Sequence, residues 1–519
     1  VIEEVNHRRS LLPARILLGF SAAALLILFA SSWSMPPVDA SGFRQTQTAL
    51  SIDWLLRGGP WLDYLTPVIG APWSIPFEFP LYQWLAALLS AATGLSADNS
   101  GRLVSLLFHV GSIFMVYRTV LAFRPDRLLA LCVAAAFAVS PFAQFWGRAV
   151  LIESTAVFFG LVFVWAVAGL RSRPTALLGG VAVLAAVLSA LVKITTFFAY
   201  AAFVALAFLW LAVREHGWRP QWLAAHWKLL AWGVAAALAV LATLLLWLQH
   251  ADALKAQSAL GQQVTSDGLS AFNYGTLQQR LDPATWGAVF KKRFGAATGS
   301  NWVFVLIVAA GLGMRRTRAA VALLLLAYLV PFLVFTNLQV VHPYYQAAQV
   351  VFATSIVGLV LWALVLRAQA SGRYRCPIAF AVLLCLLSTG FGLAHYLKNM
   401  KEARQPSDVS QIAALIQAGT PQDGVVLALG QDWSSELPYR AGRRGVMVPD
   451  WASDDVLRSL VETDAALGGL PLAALVVCPN QLASTAERAH WQEQLLQRYS
   501  AGAQKQVVGQ CEAWLQPAR

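Results

Sequence analysis

Apolar runs recur through the first 400 residues, at about 14–34, 79–93, 101–118, 127–144, 149–170, 175–191, 194–213, 229–248, 302–314, 319–335, 346–367 and 376–395. Most come close to the roughly 20 residues that a helix needs to cross the hydrocarbon core of a bilayer. The polar stretches between them are short. The pattern therefore predicts an α-helical polytopic membrane protein of about 11 to 13 transmembrane helices. After residue 400 the period changes. "GVVLALG" and "LAALVVCPN" read as short buried strands, and "ASTAERAHWQEQLLQRY" as a polar helix, so residues 401–519 are expected to form a small external α/β domain behind a transmembrane domain at 1–400.

Basic residues fall in clusters that set the expected sidedness: Arg118, Arg124 and Arg127; Arg171 and Arg173; Arg214 to Lys228; Arg315, Arg316 and Arg318; Arg367, Arg373 and Arg375. The positive-inside rule assigns these to the cytoplasm. Arg8, Arg9 and Arg15 precede the first run, which lacks a convincing small-residue cleavage site and reads as a helix with a cytoplasmic amino terminus. "DASGFRQTQTA", "FWGRAVLIES", the loop from His250 to Trp302, "TNLQVVHPYYQ" and the tail after Tyr396 then share the external side. Parity allows only one crossing between residues 79 and 118. The short run at 79–93, which opens on the proline of "FEFPLYQW", is expected to be interfacial or re-entrant.

Composition supports this class: 519 residues are 58% hydrophobic and 12% charged, with a formal charge of +12, and the mean hydropathy is +0.59. The positive balance sits between apolar runs, which argues against a nucleic-acid partner. Five cysteines show no metal-binding spacing. Cys478 and Cys511 share the external tail, where a disulfide is one reading and two buried thiols the other.

Ionisable groups near bilayer depth are costly and tend to mark a cavity or a substrate path. Four sets stand out on the expected external side. Asp39, Arg44, Gln45 and Gln47 surround a stretch, Gly42 to Leu56, whose spacing suits a short amphipathic helix at the interface. Glu78 is bracketed by phenylalanines and prolines. Arg148 and Glu153 are five residues apart, too far round a helix for a close pair, so their partners are expected elsewhere. Lys193 stands alone in "LSALVKITTFF", and His342, Tyr344 and Tyr345 end the loop before residue 346. Each has a bland alternative: a helix-terminal acid, a snorkelling lysine, a belt of interfacial aromatics. Together, carboxylates for proton transfer and cations for an anionic group suit group transfer from a lipid phosphate donor.

In this order along the chain, "VDASGFRQTQTA", "FEFP", "GRAVLIES", "LVKITTFF" and "HPYYQ" resemble the C-type, membrane-embedded glycosyltransferases that use polyprenyl-phosphate sugars, particularly the bacterial relatives of protein O-mannosyltransferases and aminoarabinose transferases. The resemblance covers about residues 10 to 400. It implies transfer of a monosaccharide from a polyprenyl-phosphate donor to a lipid, glycan or protein acceptor at the periplasmic face of a bacterial inner membrane, with inversion at the sugar carbon. It implies Asp39 as the general base, Glu153 as a second acid that orients sugar or acceptor, and Glu78 in the substrate cavity. Arg44 and Gln45 accompany Asp39 as substrate contacts, and Arg148, Lys193, His342, Tyr344 and Tyr345 contact the lipid phosphate. No cofactor is implied and a divalent metal is not favoured. Ala40 follows Asp39 where some relatives carry an Asp-Glu doublet. Two other classes fit the same residues: a transporter or flippase of a lipid-linked or anionic solute, and an oligosaccharide polymerase or ligase, with "DWSSELPYRAGRRG" as an acceptor-binding segment in either transferase reading.

Overall fold

The computed structural model describes residues 11–216, 221–371, 375–479 and 485–517; Arg8, Arg9 and Arg373 lie outside them. The chain divides into two compact units. The first comprises Val1–Ser34, Arg102–Leu245 and Ser270–Lys398, and the second Met35–Gly101, Leu246–Leu269 and Asn399–Arg519. The tail thus shares its unit with the first polar loop and with a segment from mid-chain.

Among the described residues seven helices are long and apolar enough to cross a membrane, and three shorter apolar helices accompany them. The longest, Ala176–His216, is broken at Lys193, where one residue takes extended backbone (φ −162°, ψ 99°). At 1.5 Å per residue a straight helix of this length would be about 60 Å long, twice the hydrocarbon thickness. The chain instead reverses direction. Ser189 Oγ donates to the Ala156 carbonyl at 2.9 Å, and Leu178 packs on Gly169, so the part before Lys193 runs antiparallel to the Glu153–Ser172 helix. Beyond Lys193, Tyr200 packs on Gly160 and Glu215 pairs with Arg171, so the second part runs back beside the same helix. The absent Cβ at Gly160 is what admits the Tyr200 ring: a methyl there would lie 2.6 Å from it. Counting this reversal as two passes, the long helices give eight spans among the described residues, and three shorter apolar helices of 12, 13 and 17 residues bring the apolar runs to eleven.

Leu81–Thr93 is a 13-residue helix, too short to span, and belongs to the second unit. In the same unit the helix Gly42–Leu56 corrects one expectation. It buries ten of its 15 residues, including Gln45, Thr46 and Gln47, and so does not lie as an amphipathic helix on a bilayer surface. Its partner is the tail: Thr46 Oγ1 lies 2.8 Å from Ser435 Oγ, Ser435 Oγ donates to the Phe43 carbonyl at 2.8 Å, and Phe43 packs edge-on against Trp433.

The tail carries a five-stranded sheet made of β1 (Val425–Leu429), β2 (Arg444–Val448), β3 (Leu472–Val477), β4 (Gln504–Val508) and β5 (Cys511–Leu515), in the order β2-β1-β3-β5-β4. β1 is parallel to β2 and β3, which are reached by helical crossovers; β4 and β5 close the other side as an antiparallel hairpin. β1 is buried along its whole length, as a strand covered on both faces must be. The outer edge of β2 is covered by residues 67–70 of the first polar loop: Gly70 N–H donates to the Gly445 carbonyl at 3.1 Å, Gly445 N–H to Pro67 at 2.9 Å and Met447 N–H to Val68 at 2.7 Å. This pairing removes a free edge that would otherwise invite intermolecular strand addition.

Cys478 and Cys511 form a disulfide between the end of β3 and the start of β5. Closing a loop of 33 residues removes denatured-state entropy worth about 3–4 kcal/mol in the chain-entropy model. Cys478→Ser/Cys511→Ser is therefore expected to lower the thermal midpoint of the purified protein to that of the reduced wild type. An unchanged midpoint would show that the bond contributes nothing.

Candidate functional site

Apart from Arg148, the sequence-selected residues form two clusters, one within each unit. In the second unit, Asp39 is buried and Gln45 Nε2 donates to its Oδ1 at 3.0 Å and to the Ala40 carbonyl at 2.6 Å. Asp39 is therefore not a helix cap. Ser41 takes the N-cap position, without a side-chain capping bond, and the acid is held by the first turn of the helix that follows. Arg44, one residue earlier on that turn, grips both oxygens of Glu78 at 2.6 Å and donates to Gln47. Both contacts to Glu78 come from Nη2 while Nη1 is held by Gln47, so the guanidinium is fixed in orientation as well as offset in charge. Glu78 thus meets the cation that a carboxylate between phenylalanines requires.

Tyr64 closes this cluster, donating its hydroxyl to the Glu78 carbonyl at 3.1 Å and accepting from the Phe77 N–H at 3.3 Å. Burial, and then the Glu78 carboxylate, hold its phenol above the ordinary tyrosine value, so it stays protonated. Lys255, also buried, pairs with Asp252 at 2.8 Å and lies 5.1 Å from the Phe77 ring centre. Neither residue was selected from sequence: Tyr64 stands in the loop "WLDYLTP", and Lys255 lies in the loop expected from His250 to Trp302, seven residues past the apolar run at 229–248.

In the first unit, Glu153 opens the Glu153–Ser172 helix and Lys193 sits at the apex of the reversal, and the two form a buried ion pair. Glu153 Oε2 has no hydrogen-bond partner among the described residues. The Lys193 ammonium also lies 3.9 Å from the Tyr345 ring centre and 5.0 Å from that of Tyr344, within cation–π range. His342 stacks on both tyrosines, with centroids 5.2 and 5.7 Å away. All three come from "HPYYQ", which folds as the 3₁₀ turn Pro343–Ala348. One cation, one carboxylate with a spare oxygen and three stacked rings thus converge at the hairpin apex.

Arg148 is fully buried with its guanidinium 4.4 Å from the Phe145 ring centre; Phe145 in turn stacks on Tyr396. It lies in the non-helical link between Pro141–Trp146 and Glu153–Ser172. The helical spacing applied to Arg148 and Glu153 therefore does not hold, because only Glu153 is on a helix. Its conclusion holds for Glu153, whose partner is 40 residues away.

Three buried amides were missed. Gln346 Nε2 donates to Gln339 Oε1 at 3.0 Å, and Gln349 and Gln339 exchange contacts at 3.4 Å. The signal was a glutamine every few residues through an otherwise apolar stretch. Arg102, fully buried near the start of the Ala97–Phe123 helix, was not singled out although it falls inside the apolar run at 101–118. Among the described residues no group of three or more His, Cys, Asp or Glu is placed to hold a metal ion.

A polytopic helical unit and a second unit that carries an α/β sheet, each with a buried carboxylate and cation cluster, have the architecture that the sequence resemblance implies, that of the membrane-embedded C-type glycosyltransferases. Solved structures bear this out at the level of fold. The chain is similar to ArnT from Cupriavidus metallidurans bound to undecaprenyl phosphate, at 13% identity over 95% of this chain and 97% of that one, with a TM-score of 0.61. It is similar also to the Archaeoglobus fulgidus oligosaccharyltransferase tethered with an acceptor peptide (14% identity, 94% and 73% covered, TM-score 0.52), and to a mutant of the mycobacterial arabinofuranosyltransferase AftD (15% identity, 97% and 41% covered, TM-score 0.50). No family model matches the chain, and no curated protein sequence matches it.

Proposed function

We propose that the protein is a membrane glycosyltransferase that moves a monosaccharide from a polyprenyl-phosphate donor to an acceptor hydroxyl on the periplasmic face of a bacterial inner membrane. The observation that carries this reading is the hairpin apex, where a buried lysine and glutamate meet His342, Tyr344 and Tyr345 inside a unit built to span a bilayer. A lysine so placed is suited to a phosphate on an apolar chain, and the spare oxygen of Glu153 to a sugar or acceptor hydroxyl. The similar ArnT structure is one bound to undecaprenyl phosphate, which supports the donor class.

In this reading the acceptor O–H gives its proton to the Asp39 carboxylate as its oxygen attacks the anomeric carbon. The bond from that carbon to the phosphate oxygen breaks, and polyprenyl phosphate leaves with the electron pair. Attack opposite the leaving group inverts the sugar carbon. Phosphate needs little help to depart, so the chain's main tasks are to position the acceptor, remove one proton and offset the departing charge. Lys193 and Arg148 are assigned the last task, Arg44, Gln45 and Glu78 the positioning near Asp39.

Purified protein incubated with a panel of radiolabelled polyprenyl-phosphate monosaccharides is expected to release polyprenyl phosphate from one of them. If no donor is consumed while a lipid-linked sugar changes leaflet in liposomes, the protein is a transporter and the transferase reading falls.

A further inference from the structure

The membrane unit contains a cavity of about 690 Å³ that the proposed reaction does not use. It begins beside Tyr200 and follows the returning half of the hairpin to Arg214, 14 residues on, or about 21 Å of helix. Its volume lies in the roughly 300–1,000 Å³ range of ligand cavities. The long part is apolar, walled by Leu161, Phe203, Ala207, Leu323 and Phe352.

One end is different. Arg124, Arg171, Arg214 and Arg316 line it, with Glu215 as the acid. These come from four separate segments: the residue after the Ala97–Phe123 helix, the last turns of Glu153–Ser172 and of Ala176–His216, and the loop before Arg318–Val334. Glu215 is taken up by Arg171. Arg124 lies over the Trp362 ring at 4.7 Å, with its Nε 3.9 Å from Asp126, and Arg214 over the Trp210 ring at 5.2 Å. Among the described residues neither Arg214 nor Arg316 pairs with a carboxylate. At the other end Tyr200 is fully buried and its hydroxyl has no hydrogen-bond partner among the described residues.

We infer that this cavity binds an anionic glycerophospholipid, its phosphate on Arg124, Arg214 and Arg316 and one acyl chain along the apolar wall towards Tyr200. Charge and length both select that occupant. A soluble anion would leave some 20 Å of apolar wall empty, whereas an uncharged lipid would leave the arginines unanswered. Arginine presents a planar fork that suits phosphate oxygens, and the Glu153–Ser172 and Ala176–His216 helices place their arginines in the last turn, where the helix dipole already favours a cation. Helix-end arginines serve the positive-inside rule in any case, so selectivity is what separates a site from ordinary annular lipid. Occupancy does not depend on turnover or on which sugar is moved.

The test is native mass spectrometry of the delipidated full chain titrated with phosphatidylglycerol, with phosphatidylcholine of the same acyl chains, and with glycerol phosphate. Phosphatidylglycerol adducts are expected at about tenfold lower concentration than phosphatidylcholine adducts, and none with glycerol phosphate. Arg214→Gln/Arg316→Gln changes two exposed residues and is expected to erase the tenfold preference, while Arg214→Lys/Arg316→Lys keeps most of it. Ala207→Phe, which fills the apolar wall without touching the arginines, is expected to weaken retention of the lipid. Equal retention of both lipids, unaffected by the variants, would reduce the cavity to annular lipid and overturn the inference. So would binding of glycerol phosphate alone, or displacement of phosphatidylglycerol by lower concentrations of polyprenyl phosphate.

Discussion

Asp39→Asn is expected to lower the turnover number by about 10²–10⁴-fold, the usual contribution of a positioned general base, with little change in the donor concentration at half-maximal rate. The substitution keeps the side chain's size, and the remaining carbonyl oxygen still accepts the hydrogen bond that Gln45 Nε2 gives to Oδ1 at 3.0 Å. What it removes is the proton acceptor. Steady-state kinetics alongside a thermal melt separates chemistry from folding: an unchanged midpoint with a collapsed turnover number assigns the base. Wild-type turnover in Asp39→Asn would end that assignment and send the search to Glu78 or Glu153.

The second large effect concerns the hairpin apex. Lys193 and Glu153 are among the most buried charges in the protein, with side-chain exposures of 4% and 2%. Removing one partner strands the other in a low-dielectric setting, a cost of about 3–5 kcal/mol. Lys193→Met and Glu153→Gln are each expected to lower both the thermal midpoint and activity. The double variant is the informative one, since residues in contact are coupled rather than additive. It is expected to recover most of the midpoint, because no charge is left unpaired, but little of the transfer, because the ammonium that offsets phosphate charge is gone. Recovery of both would make the pair a structural device and remove Lys193 from the donor site.

Much of this was readable from the residues, and the physical reason differs from element to element. The membrane helices follow from the length of apolar runs, a local property. The break at Lys193 was legible too, because a lone lysine divided two runs that the structure joins in one bent element. Even the Glu153–Lys193 pair lay within reach: each residue is 20 positions from Arg173, and a hairpin folded about that turn brings them opposite one another. The helix Gly42–Leu56 was misread because its burial is non-local. Its apolar spacing suggested a bilayer surface, yet the groups that cover it, Trp433 and Ser435, are almost 400 residues away. Arg148 was placed on a helix that begins five residues later, since an apolar run gives no sign of the non-helical link inside it. The Gln339, Gln346 and Gln349 cluster escaped because spaced glutamines, though visible in the sequence, give no sign of which of them meet.

The pairing of residues 67–70 with β2 also orders events in time. A ribosome that has finished the first polar loop has still to make most of the chain before Arg444–Val448, the strand that the loop lies beside, exists. At about 5–20 residues per second the loop waits roughly 20–70 s. Through that interval Phe43, Thr46 and residues 67–70 lack the tail groups on which they pack and with which they pair, while the membrane helices are being made. Maturation of the second unit is thus tied to completion of the polypeptide, and a nascent chain arrested before β2 would offer quality-control proteases an unfinished loop.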